Sequence, residues 1–215
     1  MTKDSEHKIK FNQDDYEILK REVIYEGRYR YVIYHIRYRL YNGGWSETVT
    51  REVMERSSAA AVLPYDPYLD RVVLIEQFRP GAIAHPTNPW TTEIVAGVIE
   101  HNETPDEVAM REAEEEAGCT IKALYPVQEF FVSPSCSTEY MTIYCGKVDA
   151  SNIGGIHGLS AESENIRAYS LPAEEAFEKL RTGHINTAPA IVALHWLHLN
   201  RHLLQALWVE PLETK

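Results

Sequence analysis

Four glutamates within five positions, Glu112 and Glu114–Glu116, are the side chains of this sequence best suited to chemistry, and only Arg111 beside them compensates their charge. Like charges at helical neighbour spacing destabilise a helix by roughly 0.2 to 0.5 kcal/mol per pair. A local anionic cluster of this kind requires a cation. Hard divalent cations such as Mg²⁺ take oxygen ligands and usually keep water and substrate phosphate in their remaining positions. The alternative is a solvated acidic face, which is the ordinary role of a charge run.

A helix that carries these glutamates has clear signals at both ends. Thr104-Pro105-Asp106-Glu107 combines a Thr N-cap, Pro at the first helical position and Glu at the third, which is a capping box. Gly118 supplies the matching stop. The two signals predict a helix that starts at Pro105 and ends just before Gly118.

The helical period places three of the four glutamates on one side. With Glu112 at zero and about 100° per residue, Glu115 falls at about −60° and Glu116 at about +40°, whereas Glu114 lies near 200°. Glu112 and Glu116, one turn apart, therefore suit a magnesium site. The next sector of the helix is apolar and small, and it is expected to pack against a sheet: Ala109, Met110, Ala113 and Ala117.

The composition limits the possible partners. Lys and Arg number 21 against 32 Asp and Glu, a formal charge of −11 in 215 residues, which repels nucleic-acid phosphates. Residues 97–119 hold eight acids against one Arg, so they supply −7 of that charge. Three cysteines without a CxxC pair, a polar N-terminus and the lack of a long apolar run predict a cytoplasmic protein that does not insert into a membrane.

The remaining elements are read from hydrophobic periodicity. Alternation in residues 29–41 and again from Trp45 to Arg56, joined by Asn42-Gly43-Gly44, predicts an N-terminal β-hairpin unit. AAAVLPYDP and RVVLIEQF predict a second hairpin. Further elements are expected as strands at Thr92–Val95, Val127–Val132 and Met141–Val148, and as helices at Ala173–Arg181 and Pro189–Leu207. This order favours a mixed sheet over a parallel one.

Read with its spacing, the glutamate segment resembles the Nudix box, G-x5-E-x7-R-E-U-x-E-E-x-G-U. Gly97, Glu103 and Arg111–Cys119 supply every fixed residue, with Ala113 and Cys119 at the U positions, which normally hold larger aliphatic residues. The similarity to the ADP-ribose pyrophosphatase branch extends over nearly the whole chain and is carried by EQFR at 76–79, EIVAG at 93–97, SPSCSTE at 133–139 and GIHGLSAESENI at 155–166. Pro134 stands at the position that marks this branch, but Ser135 replaces the usual Gly.

The resemblance implies an α/β fold. We expect a Nudix α/β/α sandwich with a mixed β-sheet, together with an N-terminal antiparallel β-hairpin unit. Residues 1–56 would form that unit, exchanged between the subunits of a homodimer, and residues 57–215 would form the hydrolase domain.

The resemblance also assigns roles to individual residues. Mg²⁺, with Mn²⁺ as a possible substitute, would be bound by Glu112, Glu116, Glu164 and the Ala96 carbonyl. Glu162 would be the catalytic base, Glu115 would assist, and Arg111 and Glu103 would brace the loop and helix between Gly97 and Gly118. The implied substrate-binding residues are Arg79 for the diphosphate, Arg51 and Glu52 for the adenine across the dimer, and Glu139 for the distal ribose.

The implied activity is magnesium-dependent hydrolysis of the pyrophosphate bond of ADP-ribose and related ADP-sugars to AMP and ribose 5-phosphate. Two alternatives stay open. One is a pyrophosphatase acting on GDP-mannose or another nucleotide sugar, because Ser135 leaves specificity undecided. The other is a Nudix module that senses ADP-ribose without cleaving it. All three take a small nucleotide-sugar ligand rather than a nucleic acid or a membrane.

Overall fold

The computed structural model describes residues 11–86 and 88–209, and the chain divides into two compact units. The first unit extends to Arg56 and also includes Ser133–Glu139, whereas the second comprises Ser57–Val132 and the residues from Tyr140 onward. The domain ranges expected from the sequence also take in residues 1–10, 87 and 210–215, which lie outside the described residues.

The first unit is built on an antiparallel sheet of three strands, β1 (Tyr16–Glu26), β2 (Arg30–Tyr38) and β3 (Val49–Glu55), in the order β1-β2-β3. The predicted hairpin corresponds to β2 and β3. Strand β1 was not predicted, because this outer strand is almost entirely exposed and therefore carries no alternation of buried and exposed residues. The segment Ser133–Glu139 joins this unit through backbone hydrogen bonds from Met54 to Cys136 O (2.8 Å) and from Thr138 to Met54 O (3.1 Å).

The second unit contains one sheet of eight strands. They are β4 (Ala59–Asp66), β5 (Arg71–Phe78), β6 (Trp90–Glu93), β7 (Val95–Val98), β8 (Ala123–Phe131), β9 (Tyr140–Lys147), β10 (Gly154–His157) and β11 (Ile166–Pro172). The main order is β10-β11-β5-β4-β9-β8, with β6 paired to β5 and β7 to β4. Only the β4–β9 pair is parallel among the pairs of this sheet, so the expected mixed sheet is confirmed. The last two strands of the chain were not predicted.

Three α-helices complete the second unit, α1 (Pro105–Ala117), α2 (Ala173–Arg181) and α3 (Ala188–Trp208). Their predicted bounds are confirmed to within a residue or so. Across residues 11–86 and 88–209, none of the helices combines the length and the apolar content needed to traverse a lipid bilayer.

Helices cover both faces of the large sheet, as the complete burial of β4 requires. Val62 lies in an apolar cluster with Ala109 and Ala113 of α1. Leu63, the next residue of β4, lies in a second cluster with Leu194 of α3. Because successive side chains of a strand point to opposite faces, these two clusters are the two layers of an α/β/α sandwich. The expected fold class is confirmed.

Candidate active site

Helix α1 begins and ends where its local signals predict. The Glu107 carboxylate accepts hydrogen bonds from the Thr104 amide and hydroxyl, both at 2.9 Å, which satisfies an otherwise unpaired N-terminal donor. Gly118 adopts a left-handed conformation (φ 61°), and the next amide, that of Cys119, donates to Ala113 O at 2.8 Å. Both ends are therefore fixed, and with them the direction of every side chain between.

Three glutamates of α1 line one side of the helix, as expected. Glu116 is only 3% exposed, Glu112 and Glu115 are half-buried, and Glu114 is exposed on another side. We call Glu112, Glu115 and Glu116 the acidic edge of α1. The placement of Met110 in the packing sector was wrong, because it lies at the rim of that sector and its side chain is 40% exposed.

The packing face of α1 is made of small and apolar residues. Val108, Ala109 and Ala113 have no exposed surface, and neither does Cys119 just beyond the helix. Burial raises the pKa of the Cys119 thiol to about 12, so it behaves as an apolar side chain at neutral pH. The two smaller residues at the U positions, Ala113 and Cys119, therefore still fill core sites.

Arg111 braces the acidic edge. Its guanidinium donates from Nε to Glu103 Oε1 (2.9 Å) and from Nη2 to Glu103 Oε2 (3.1 Å), a two-bond contact that spans the loop and the helix. Its third nitrogen donates to Glu112 Oε1 at 2.8 Å and to Glu115 Oε2 at 3.3 Å. Arg111 also lowers the pKa of Glu103. The Arg111 guanidinium thus fixes two of the three carboxylates of the acidic edge, those of Glu112 and Glu115.

Strand β7 lies directly against the acidic edge. The Ala96 amide donates to Glu116 Oε2 at 3.0 Å. A Cβ atom added at Gly97 would lie only 1.8 Å from Glu112 Oε1, so the carboxylate occupies the space that a side chain at 97 would fill. The glycine at the start of the G-x5-E pattern is therefore required by a close approach between β7 and Glu112.

Burial dominates the electrostatics of the acidic edge. The pKa of Glu116 is raised to about 8, mainly because burial removes water from the carboxylate. The Glu112 and Glu164 carboxylates also raise this pKa, whereas the hydrogen bond from the Ala96 amide lowers it. Desolvation also raises the pKa of Glu112, with Arg111 opposing that rise. Two carboxylates whose charged forms are disfavoured in the bare protein are suited to a bound cation.

The loop after β10 approaches the same helix. The Gly158 amide donates to Glu115 O at 3.0 Å, which ties the start of the loop to the C-terminal turn of α1. Glu164 is half-buried, accepts from the Leu159 amide at 3.2 Å and raises the pKa values of Glu112 and Glu116. Glu162 ends the short 3-10 turn Ser160–Glu162 and is exposed. The structure thus places Glu164 within electrostatic range of the acidic edge and Glu162 in the same loop.

Arg79 is fixed by a buried carboxylate that the sequence analysis missed. Glu93, 9% exposed, accepts from Arg79 Nε at 2.9 Å and from Nη2 at 2.7 Å. Burial lowers the pKa of Arg79, but Glu93, Glu116 and Glu164 together raise it by more. The sequence contains a pattern that indicates this pair. Gln77 and Arg79 are polar residues two positions apart, as are Thr91 and Glu93, and residues two apart on a strand point to the same face of a sheet.

Comparison with known proteins agrees with this geometry. The NUDIX domain model matches residues 47–193, which include the acidic edge, its brace and the Glu162–Glu164 loop. The chain belongs to the Nudix family.

Relatives refine the position within the family. A protein of Escherichia coli (strain K12) named ADP-ribose pyrophosphatase is 43% identical over 200 residues, 93% of this chain and 96% of that protein. One of Cronobacter sakazakii named GDP-mannose pyrophosphatase is 34% identical over 151 residues, 69% of this chain and 78% of that protein. The crystal structure of an ADP compounds hydrolase covers 90% of this chain and 96% of its own, with a TM-score of 0.66 at 20% identity, a likeness of fold. The chain therefore groups with the ADP-ribose pyrophosphatase branch of the Nudix family.

The carboxylates of the Nudix box fit the cation that the family implies. Among the described residues, no three His, Cys, Asp or Glu side chains converge as a ready metal site. Glu112 Oε1 accepts from Arg111 and Glu116 Oε2 from the Ala96 amide. The donor set consists of carboxylate oxygens, which suit a hard divalent cation. A cation beside Glu116 would offset the desolvation that raises its pKa.

The first unit contains the other residues expected to bind the substrate, which are Arg51, Glu52 and Glu139. Arg51 and Glu52 are exposed consecutive residues of β3, so they project from opposite faces of its sheet. Glu139 is 9% exposed and forms an ion pair with Arg56 Nη1 at 3.1 Å.

Proposed function

We propose that this chain hydrolyses the pyrophosphate bond of ADP-ribose and related ADP-sugars, giving AMP and ribose 5-phosphate, with Mg²⁺ as cation and Mn²⁺ as a substitute. The observation that carries the proposal is the acidic edge of α1, in which Glu116 is buried and Glu112 and Glu115 are half-buried, with Glu164 and Arg79 in electrostatic range of Glu116. The 43% identity to an enzyme named ADP-ribose pyrophosphatase supports this substrate over others.

In this proposal Glu112 and Glu116 hold the cation, assisted by Glu115, Glu164 and the Ala96 carbonyl. When bound, Mg²⁺ neutralises diphosphate charge and lowers the pKa of the attacking water. The protein itself keeps the carboxylates in place through the Arg111 contacts with Glu103 and Glu112. This bracing limits the reorganisation needed when substrate arrives.

Glu162 is the proposed general base, which removes the proton of the attacking water. Its exposed position in the loop after β10 leaves the carboxylate free to accept a hydrogen bond from a water in the site. The hydrogen bond from the Gly158 amide to Glu115 O holds one end of that loop on α1.

Substrate recognition is assigned to four residues. Arg79 binds the diphosphate, Arg51 and Glu52 bind the adenine across a homodimer, and Glu139 binds the distal ribose. The N-terminal unit, residues 1–56, is exchanged between subunits in this proposal, so the active species is a homodimer. Light scattering coupled to gel filtration tests this assembly, and a fully active monomer would contradict it.

The proposed setting is the cytoplasm, with a small nucleotide sugar as ligand and neither nucleic acid nor membrane as partner. Cys119, Cys136 and Cys145 are free thiols, which suits a reducing compartment. The net charge of −11 disfavours nucleic-acid phosphates.

The deciding experiment is a coupled assay in which alkaline phosphatase releases phosphate from the newly exposed phosphomonoesters. ADP-ribose, GDP-mannose, NADH and diadenosine compounds are each supplied with Mg²⁺ and the purified protein. The proposal expects the highest kcat/KM for ADP-ribose. A preference for GDP-mannose would favour the second candidate, which the 34% identity to a GDP-mannose pyrophosphatase supports. Binding of ADP-ribose without phosphate release would favour a sensor.

A further inference from the structure

A polar cluster occupies one face of the β5–β6 pair. Gln77 pairs with Thr91 in the antiparallel register, and the Arg79 amide donates to Pro89 O at 2.8 Å, which continues the pairing one residue beyond β5. Residues two apart on a strand share a face, so Arg79 and Glu93 lie on the same side as Gln77 and Thr91. The register of β5 and β6 therefore brings these four polar side chains together on one face of the sheet.

Glu93 is at the centre of this cluster, and its carboxylate is fully engaged with protein donors. Oε1 accepts from the Thr91 hydroxyl at 2.6 Å and from Arg79 Nε at 2.9 Å. Oε2 accepts from Arg79 Nη2 at 2.7 Å and from Gln77 Nε2 at 3.5 Å. A carboxylate that is 9% exposed and bonded in this way is held in one plane and is not presented to a ligand.

Arg79 has a second edge that Glu93 does not use. The two-bond contact occupies the Nε and Nη2 side of the guanidinium, whereas the side formed by Nη1 and the second Nη2 proton points away. The side chain is 44% exposed, in contrast to its buried partner. Two parallel N–H donors on a flat group match two oxygens of a phosphate.

We infer that Glu93 is a positioning residue for diphosphate recognition: its buried carboxylate clamps one edge of the Arg79 guanidinium so that the opposite edge binds the diphosphate. The inference rests on the proposed function, since it specifies how that substrate is bound. Glu93 acts only through Arg79, and Thr91 acts through Glu93 by fixing the carboxylate plane. A clamped arginine loses less conformational freedom when the ligand arrives than a free one.

The test is a double-mutant cycle read by binding rather than by turnover. Isothermal titration calorimetry measures the Kd of the α,β-methylene analogue of ADP-ribose for wild type, Glu93→Gln, Arg79→Ala and the double variant. Glu93→Gln should weaken binding about tenfold, the effect of losing a hydrogen bond to a charged group. In the Arg79→Ala background the same change should have no further effect, because the residue through which it acts is gone.

Further variants separate positioning from a structural role. Thr91→Val should weaken binding in the same direction while Thr91→Ser keeps wild-type affinity, and this pair also serves if Glu93→Gln folds poorly. Glu178→Gln is the matched control, because Glu178 makes a similar two-bond contact with Arg181 on the exposed surface of α2. It should leave the Kd unchanged.

Different results would overturn the positioning role of Glu93 and the proposed hydrolysis of ADP-ribose. Wild-type affinity in Glu93→Gln, or an equal loss in both backgrounds, would overturn the positioning role even if ADP-ribose is cleaved. Lack of ADP-ribose turnover by the wild type would overturn the proposed function, while the pattern of analogue binding across the four proteins still decides the role of Glu93. Lack of analogue binding by the wild type would overturn both.

Discussion

Gly97 offers the sharpest perturbation of the acidic edge, because one added methyl group enters the space that the Glu112 carboxylate occupies. In Gly97→Ala, the new Cβ would lie 1.8 Å from Glu112 Oε1 and 2.2 Å from its Cδ. Ordinary contact begins near 3.4 Å, so the oxygen must retreat by about 1.6 Å. The strand cannot yield instead, because Gly97 pairs with Ala60, which has no exposed surface in the core.

The retreat takes Glu112 away from its Arg111 contact at 2.8 Å and out of the position proposed for the cation. A displacement of about 1 Å costs on the order of 100-fold in rate, about 2.7 kcal/mol in the barrier. The added Cβ would also lie 2.4 Å from Glu112 Cγ, so the whole side chain must adopt another rotamer and leave Arg111. The backbones of β7 and α1 stay in place, so the free energy of unfolding should fall by about 1 kcal/mol. Gly97→Ala is therefore expected to fold normally and to lose activity.

The assay pairs kcat/KM for ADP-ribose with thermal melts followed by circular dichroism. Gly154→Ala is the matched control, because the nearest atom to its new Cβ is the Ala168 carbonyl oxygen at 3.8 Å. It should retain wild-type kcat/KM. A folded Gly97→Ala protein with wild-type kcat/KM would refute the placement of Glu112 against β7 and the role drawn from it.

Two further predictions concern charge. Glu112→Gln and Glu116→Gln should each lose most of their turnover while Glu114→Gln, outside the acidic edge, stays near wild type, and equal losses at all three in the coupled assay would refute the assignment of the edge. Arg21 lowers the pKa of Glu55, so the ionised carboxylate stabilises the fold above its unfolded pKa near 4.5 and loses that contribution as pH falls through the lower folded value. Glu55→Gln should therefore melt below wild type at pH 7, and the difference in melting temperature should shrink as the pH falls below 4.5. A difference that stays constant with pH would contradict this.

The sequence predicted those features whose causes are local. Thr104, Glu107 and Gly118 act within a few residues of one another, so the ends of α1 and the direction of its glutamates followed from spacing alone. Met110 was misplaced because the width of a packing face depends on the neighbouring sheet rather than on helical period. Its side chain stands at the rim of that face, 40% exposed.

The features that the sequence did not predict depend on distant pairing. Strand β11 pairs with β5 through contacts such as Arg167 with Glu76, far apart in the chain, and nothing local to residues 166–172 identifies the partner. Glu93 was missed for the same reason, since its link to Arg79 arises from the β5–β6 register. The spacing of the motif was enough to predict the acidic edge. The contact of Glu93 with Arg79 could be found only from the folded structure.

The central claim is that the acidic edge of α1 holds a divalent cation against a diphosphate. The most direct measurement is Mn²⁺ binding, by electron paramagnetic resonance of the free ion, to wild type and Glu116→Gln, with and without the α,β-methylene analogue of ADP-ribose. Wild type should bind Mn²⁺ more tightly when the analogue is present, and Glu116→Gln should lose most of this affinity. Equal Mn²⁺ binding by the two proteins, or none by the wild type with the analogue present, would contradict it.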